Sequence, residues 1–100
     1  MLGRRARLHP DAQRDLEDGL AFYSERSLIA TERFLGEVES ALDLIAEAPD
    51  RWPLYRAGAR RYVMPAFPYS IIYRATPDAI QVFAVAHAKR RPQYWTKRRF

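Results

Sequence analysis

The spacing of apolar positions changes period along the chain. Between Pro10 and about Arg26, Ala12, Leu16, Leu20 and Tyr23 recur at steps of three or four, one stripe along a helix. His9-Pro10-Asp11 reads as its start, because proline is tolerated at the first helical position and an acid suits the positive end of the helix dipole. Ser27 separates it from a second helix, predicted from Leu28 to Ala48, whose apolar face carries Phe34, Val38, Ala41, Leu42 and Ile45. Its outer face carries Glu32, Glu37, Glu39, Asp43 and Glu47, and Pro49 stops it. So short a connection predicts an antiparallel helical hairpin.

The remaining segments follow the period of strands. Gly3 to Leu8 alternates Ala6 and Leu8 with Arg5 and Arg7, as a charged edge strand does. Asp50 to Gly58 is a loop, expected to be pinned to the core by Trp52, Leu54 and Tyr55. Three strand candidates come next: Arg60 to Met64, Tyr69 to Arg74 and Ile80 to Ala86. In the second, Tyr69, Ile71 and Tyr73 share one face, and Ser70, Ile72 and Arg74 the other. The third is almost continuously apolar, as a central strand should be. Thr76-Pro77-Asp78 supplies the turn between them. The order β-α-α-β-β-β predicts an α+β fold: a helical hairpin laid on a mostly antiparallel sheet of about four strands.

Composition narrows the function. One hundred residues make a single domain. With no cysteine and only His9 and His87 as imidazoles, no thiolate site exists and no metal is expected. The four glycines are scattered rather than gathered into a phosphate loop, and no nucleophile elbow occurs, so no small-molecule cofactor is expected. No run is long and apolar enough for a membrane span, and "MLGRRARLHP" lacks a secretory apolar region, which points to the cytoplasm. Asp11, Asp15 and Asp18 share one helix face; they read as a solvated face with Arg14 as counter-charge rather than as acid/base chemistry.

Charge changes the picture more. Residues 1–50 hold six arginines against eleven acids, net −5, and residues 51–100 hold eleven cations against Asp78 alone, net +10. Such asymmetry points to a polyanion or an acidic partner. Arg60 and Arg61 open one strand, Arg74 ends the next, and His87, Lys89, Arg90 and Arg91 follow the last. Guanidinium groups grip phosphates or carboxylates bidentately. Tyr94 and Trp95 either stack on a base or partner, or tether the tail to the helices. These nine residues are the candidate binding surface.

Four segments together resemble the RelE/ParE superfamily of type II toxin–antitoxin toxins, and more closely its ParE-like branch. They are "HPDAQRDLEDGLAFY", "ATERFLGEVESALDLIAEAPDRWP", "RRYVMPAFPYSIIYR" and "VFAVAHAKRRPQYW", and the similarity runs from about Ala6 to Trp95. The resemblance implies the same fold, a cognate antitoxin as partner, and a role in plasmid stabilisation. ParE-like members poison DNA gyrase, whereas RelE-like members cleave messenger RNA on the ribosome. RelE-like nucleases place an arginine where this chain has Ser70, which weighs toward the gyrase poison. In the alternative nuclease reading, Arg61, Lys89, Arg90 and Tyr94 are the site residues. A non-toxic interaction module of the same fold is the third reading.

Overall fold

A computed structural model of the protein describes residues 5–100. Its elements are β1 (Arg5–Leu8), α1 (Pro10–Ser24), α2 (Leu28–Glu47), a 3-10 turn (Pro49–Arg51), β2 (Arg60–Val63), β3 (Tyr69–Ala75) and β4 (Ala79–His87). This is the expected α+β order; Gly3 and Arg4 of the predicted first strand lie outside the described residues. Both helices begin on local chemistry. The His9 ring accepts the Asp11 amide through Nδ1 at 3.0 Å ahead of Pro10, and Ser27 Oγ accepts the Ala30 amide at 3.1 Å.

The sheet order is β1-β4-β3-β2, with β1 parallel to β4 and the other pairs antiparallel. The nearly continuous apolar strand is therefore central. The helical hairpin covers one face, where Ala12, Leu16, Phe34, Val38, Ala41 and Ile45 meet Tyr69, Ile71, Tyr73, Ile80, Val82 and Val85. Gly19 permits the close approach of the helices: a Cβ there would stand 2.8 Å from the Phe34 ring.

The second face has its own smaller core of Ala59, Ile72, Phe83, Ala84 and Trp95, flanked by Tyr55 and Tyr94. A β-bulge builds it. Ile72 pairs with Ala84 but Tyr73 pairs with Val82, so Phe83 is the extra residue, and it joins Ala84 in this second core. Two segments roof this face. One is the loop after Pro49, which closes on a tight turn with Ala57 (φ 52°) and Gly58 (φ 75°) both left-handed, tied by the Ala59 amide to the Arg56 carbonyl at 2.9 Å. The other is the C-terminal tail. Trp52 packs on the helix-side core and Tyr55 on the second, as pins should, but Leu54 is 66% exposed and pins nothing.

One polar cluster locks the tail. β1 pairs with β4 only as far as Val82, after which the chain leaves for α1. Beyond that point the edge of β4 would present an unpaired amide and carbonyl. Asp15 fills the gap: its Oδ2 accepts the Val85 amide at 3.2 Å, the Tyr94 hydroxyl at 3.0 Å and Arg98 Nη1 at 2.7 Å. Arg98 Nη1 also donates to the Phe83 carbonyl at 2.9 Å. The acidic stripe on α1 is therefore not uniformly solvated. Arg14 pairs with Asp11 at 2.8 Å, while Asp15, 7% exposed, belongs to Arg98.

Asp15→Ala is expected to cost about 3–5 kcal/mol, since it strands a buried guanidinium and an amide. Trp95→Ala should cost a similar amount, about 3–5 kcal/mol, as a core truncation. Urea or thermal melting checks both, and a loss under about 1 kcal/mol in either would show the tail is not a structural layer. Alkali offers a second test. Burial, the leading cause at each, raises Tyr23, Tyr69, Tyr73 and Tyr94 above the ordinary 10.0, Asp15's charge adding at Tyr69 and Tyr94. Their neutral forms stabilise the fold fully below pH 10, and that stability is lost as pH climbs above it. Urea midpoints should hold level from pH 8 to about 10 and fall beyond it; a flat profile to about pH 12 contradicts this.

Candidate functional site

After His87 the chain turns back over the second face. The Ala88 amide donates to the Pro68 carbonyl at 2.8 Å, the Lys89 amide to His87 Nδ1 at 3.0 Å, and the Arg90 amide to the His87 carbonyl at 3.0 Å. Successive turns then carry Tyr94 and Trp95 back across the sheet, with the Tyr94 amide on the Arg91 carbonyl at 3.1 Å. Between this tail and β2–β3 lies a cleft of about 160 Å³ bordered by Tyr55, Arg61, Ser70, Arg90, Arg91 and Tyr94.

Its cations are held against rings. The Arg61 guanidinium lies 4.4 Å from the centre of Tyr55, and that of Arg90 lies 3.8 Å from the centre of Tyr94. A guanidinium stacked in this way keeps its N–H edge outward for a bidentate anion. Among the described residues, no carboxylate lies within 4.0 Å of Arg61, Arg90 or Arg91. Arg61 thus meets the post-His87 segment at one cleft.

Other candidates are placed elsewhere. Arg60 neighbours Arg61 in sequence but points to the opposite face, because strand side chains alternate; there it donates to the Trp52 carbonyl at 2.7 Å and pairs with Asp50 at 3.7 Å. Arg74 lines a second cleft, of about 420 Å³, with Gln81, Phe83, Arg99 and Phe100. It donates to the Ala57 carbonyl at 2.7 Å and lies 5.0 Å from the Phe83 ring centre. Lys89 is exposed on the turn, outside the lining of either cleft. His87, by contrast, borders the first cleft, and its ring packs edge-on to Tyr69, at 5.0 Å.

Trp95 is 2% exposed, its ring 6.0 Å from Phe83, and both clefts border it. It tethers the tail, but to the sheet's second face rather than to the helices. Of the two, it is Tyr94 that reaches a helix, through its hydroxyl, as Arg98 does further along the tail. Burial first, then the Asp15 charge and hydrogen bond, hold that hydroxyl far above the usual tyrosine range. Burial pulls Arg98 down, but the hydrogen bond to Asp15 and the charges of Asp15, Tyr94 and Asp11 together outweigh it, and the guanidinium is held above its ordinary value. The residues least visible in the sequence are Asp15 and Arg98, which stand 83 positions apart without any local signal. Tyr55, within an aromatic- and arginine-rich loop, was visible as a pin but not as the backing of Arg61.

The chain is similar to known proteins in sequence and in fold. Residues 6–92 fit the family described as "ParE toxin of type II toxin-antitoxin system, parDE". Toxin ParE2 of Mycobacterium tuberculosis, in strains CDC 1551 / Oshkosh and ATCC 25618 / H37Rv alike, is 30% identical over 91 residues, spanning 89% of this chain and 86% of the relative. The solved structure "Chromosomal ParDE TA system from P. aeruginosa" superposes with a TM-score of 0.69 at 17% identity, over 86% of this chain and 97% of that one, a likeness of fold. A matching sequence from β1 through the arginines after β4, joined to the same layered fold, leads to one conclusion: this chain belongs to the ParE toxin family of type II toxin–antitoxin systems.

Proposed function

We propose that this toxin acts in the cytoplasm by poisoning DNA gyrase, and that a cognate antitoxin silences it by laying an acidic segment into the arginine-lined cleft. The observation that carries the choice of target is the Tyr94 hydroxyl, which donates to the buried carboxylate of Asp15 at 3.0 Å. A ribonuclease needs a group to activate the 2′-hydroxyl and cations around the scissile phosphate. Of the four residues a nuclease reading would use, Tyr94 has its hydroxyl turned into the core and its proton held tightly. Lys89 stands outside the cleft, and Ser70 supplies no charge at the cleft border. What remains, Arg61 and Arg90 backed by rings, suits anion contacts at a protein surface. The antitoxin part rests on charge complementarity with the +10 half, and on the solved structure of similar fold being that of a ParDE system. Linked to its antitoxin, such a toxin would stabilise the plasmid or locus that encodes the pair.

Induction of the chain alone is expected to stop bacterial growth and to leave filamentous cells with trapped gyrase–DNA complexes and intact messenger RNA. Cleavage of messenger RNA within translating ribosomes would transfer the proposal to the nuclease. Normal growth with abundant folded protein would leave only a non-toxic interaction module.

The cleft and the turn beside it are tested by replacing Lys89, Arg90 and Arg91 with alanine. All three are exposed, so each change should cost under about 0.5 kcal/mol, with roughly 0.5–1 kcal/mol more for the Arg90–Tyr94 stack. Growth arrest should vanish while the melting temperature moves only a few degrees. Undiminished killing at normal protein level would place the contact surface elsewhere.

A further inference from the structure

The two clefts are not separate features, because Trp95 borders both. On one side of it lie Arg61, Arg90 and Arg91; on the other lie Arg74 and Arg99. None of these five has a carboxylate within 4.0 Å among the described residues, whereas Arg98, between them, is neutralised by Asp15. Ser70, Ile72 and Arg74 run along the same face of β3, so the band extends about 14 Å along that strand, at about 3.4 Å per residue. Ala6 and Leu8 pack on the helix-side core, so Arg5 and Arg7 point toward this same second face across the sheet. The helical layer opposite carries most of the acids.

We infer that this face is a docking surface for the backbone of duplex DNA, independent of base sequence. Charge density favours DNA over an acidic polypeptide. Duplex DNA carries one charge per roughly 1.7 Å of axis, about eight over 14 Å, of which about half face a protein on one side. An extended acidic segment puts a side chain toward one face only every ~7 Å, so about two carboxylates fit the same length. Five unpaired guanidiniums match the former. The rings favour backbone over bases, and hence duplex over an unstacked single strand. Tyr55, Phe83 and Tyr94 are already covered by Arg61, Arg74 and Arg90, at 4.4, 5.0 and 3.8 Å from the ring centres. They orient the guanidinium forks and are not free to stack a nucleobase. The inference goes beyond the gyrase proposal and does not rest on it, since it concerns the isolated protein.

The test is fluorescence anisotropy with the purified full chain and a labelled duplex of about 20 base pairs, against a single strand of the same length and a labelled poly-glutamate peptide, from about 50 to 200 mM salt. Expected is binding tightest to the duplex, insensitive to its sequence, with a log–log salt slope near −4 to −5, a loss of several hundred-fold over that salt range. The variant Arg90→Gln/Arg91→Gln/Arg99→Gln should flatten the slope by about 3 and weaken binding at least tenfold at about 50 mM salt. A variant of equal charge on the helical layer, Arg14→Gln/Arg26→Gln/Arg33→Gln, should change it less than about threefold. Circular dichroism confirms that both variants are folded. Equal losses in the two variants would reduce the effect to net charge and overturn the docking face. So would tighter binding of the single strand or of poly-glutamate, or no duplex binding at the lowest salt.

Discussion

The buried pair of Asp15 and Arg98 resolves a problem set by unequal strand lengths. β4 has nine residues and β1 only four, so the central strand outruns its parallel neighbour. Backbone groups on the uncovered stretch are too enclosed to be left without partners. A single carboxylate from α1 supplies the missing acceptor, and a guanidinium from the tail supplies the missing donor. Both are shielded, with side-chain exposures of 6% and 12%. Neither charge would be tolerable there alone, so the helix, the strand edge and the tail are ordered together.

From that lock follows the form of the functional face. Tyr94 shares the same carboxylate, which fixes its ring, and the ring in turn backs Arg90. Trp95 fills the space over the bulged Phe83 and divides the face into two clefts. The loop before β2 adds Tyr55 behind Arg61 from the other side. Arg90 is exposed and Arg61 half-buried, yet both stand on a rigid support of aromatic rings and buried charge. That combination suits recognition of anions by a preorganised surface.

The distribution of charge gives this toxin two unlike sides. Acids gather in the helical hairpin and cations on the far side of the sheet, with one sheet separating them. A partner carrying negative charge is therefore drawn to the tail side, whether it is an antitoxin segment or the backbone of DNA, and the two would compete for the same guanidiniums. The family match covers residues 6–92, while Trp95, Arg98 and Phe100 lie beyond them. The second cleft and the lock on Asp15 thus draw on residues outside the matched region.

Periodicity alone determined the helical hairpin, the four strands, the central place of β4 and the division of β3 into two faces. Each follows from side-chain spacing within one element, where 3.6 and 2 residues per repeat act over a few neighbours. The division of charge between the halves was equally legible, as were the residues that carry the family likeness. What only the tertiary structure decided is which distant groups meet. It buried Asp15 rather than leaving it in a solvated stripe, put Arg61 rather than Arg60 at the cleft, and laid Trp95 on the sheet instead of the helices. Those outcomes depend on strand register, on a one-residue bulge at Phe83, on an unpaired edge amide at Val85, 70 positions from the acid that fills it, and on a guanidinium 83 positions from that acid. Such contacts are set by long-range packing and by the cost of leaving a buried polar group unpaired, which no local pattern along the chain records.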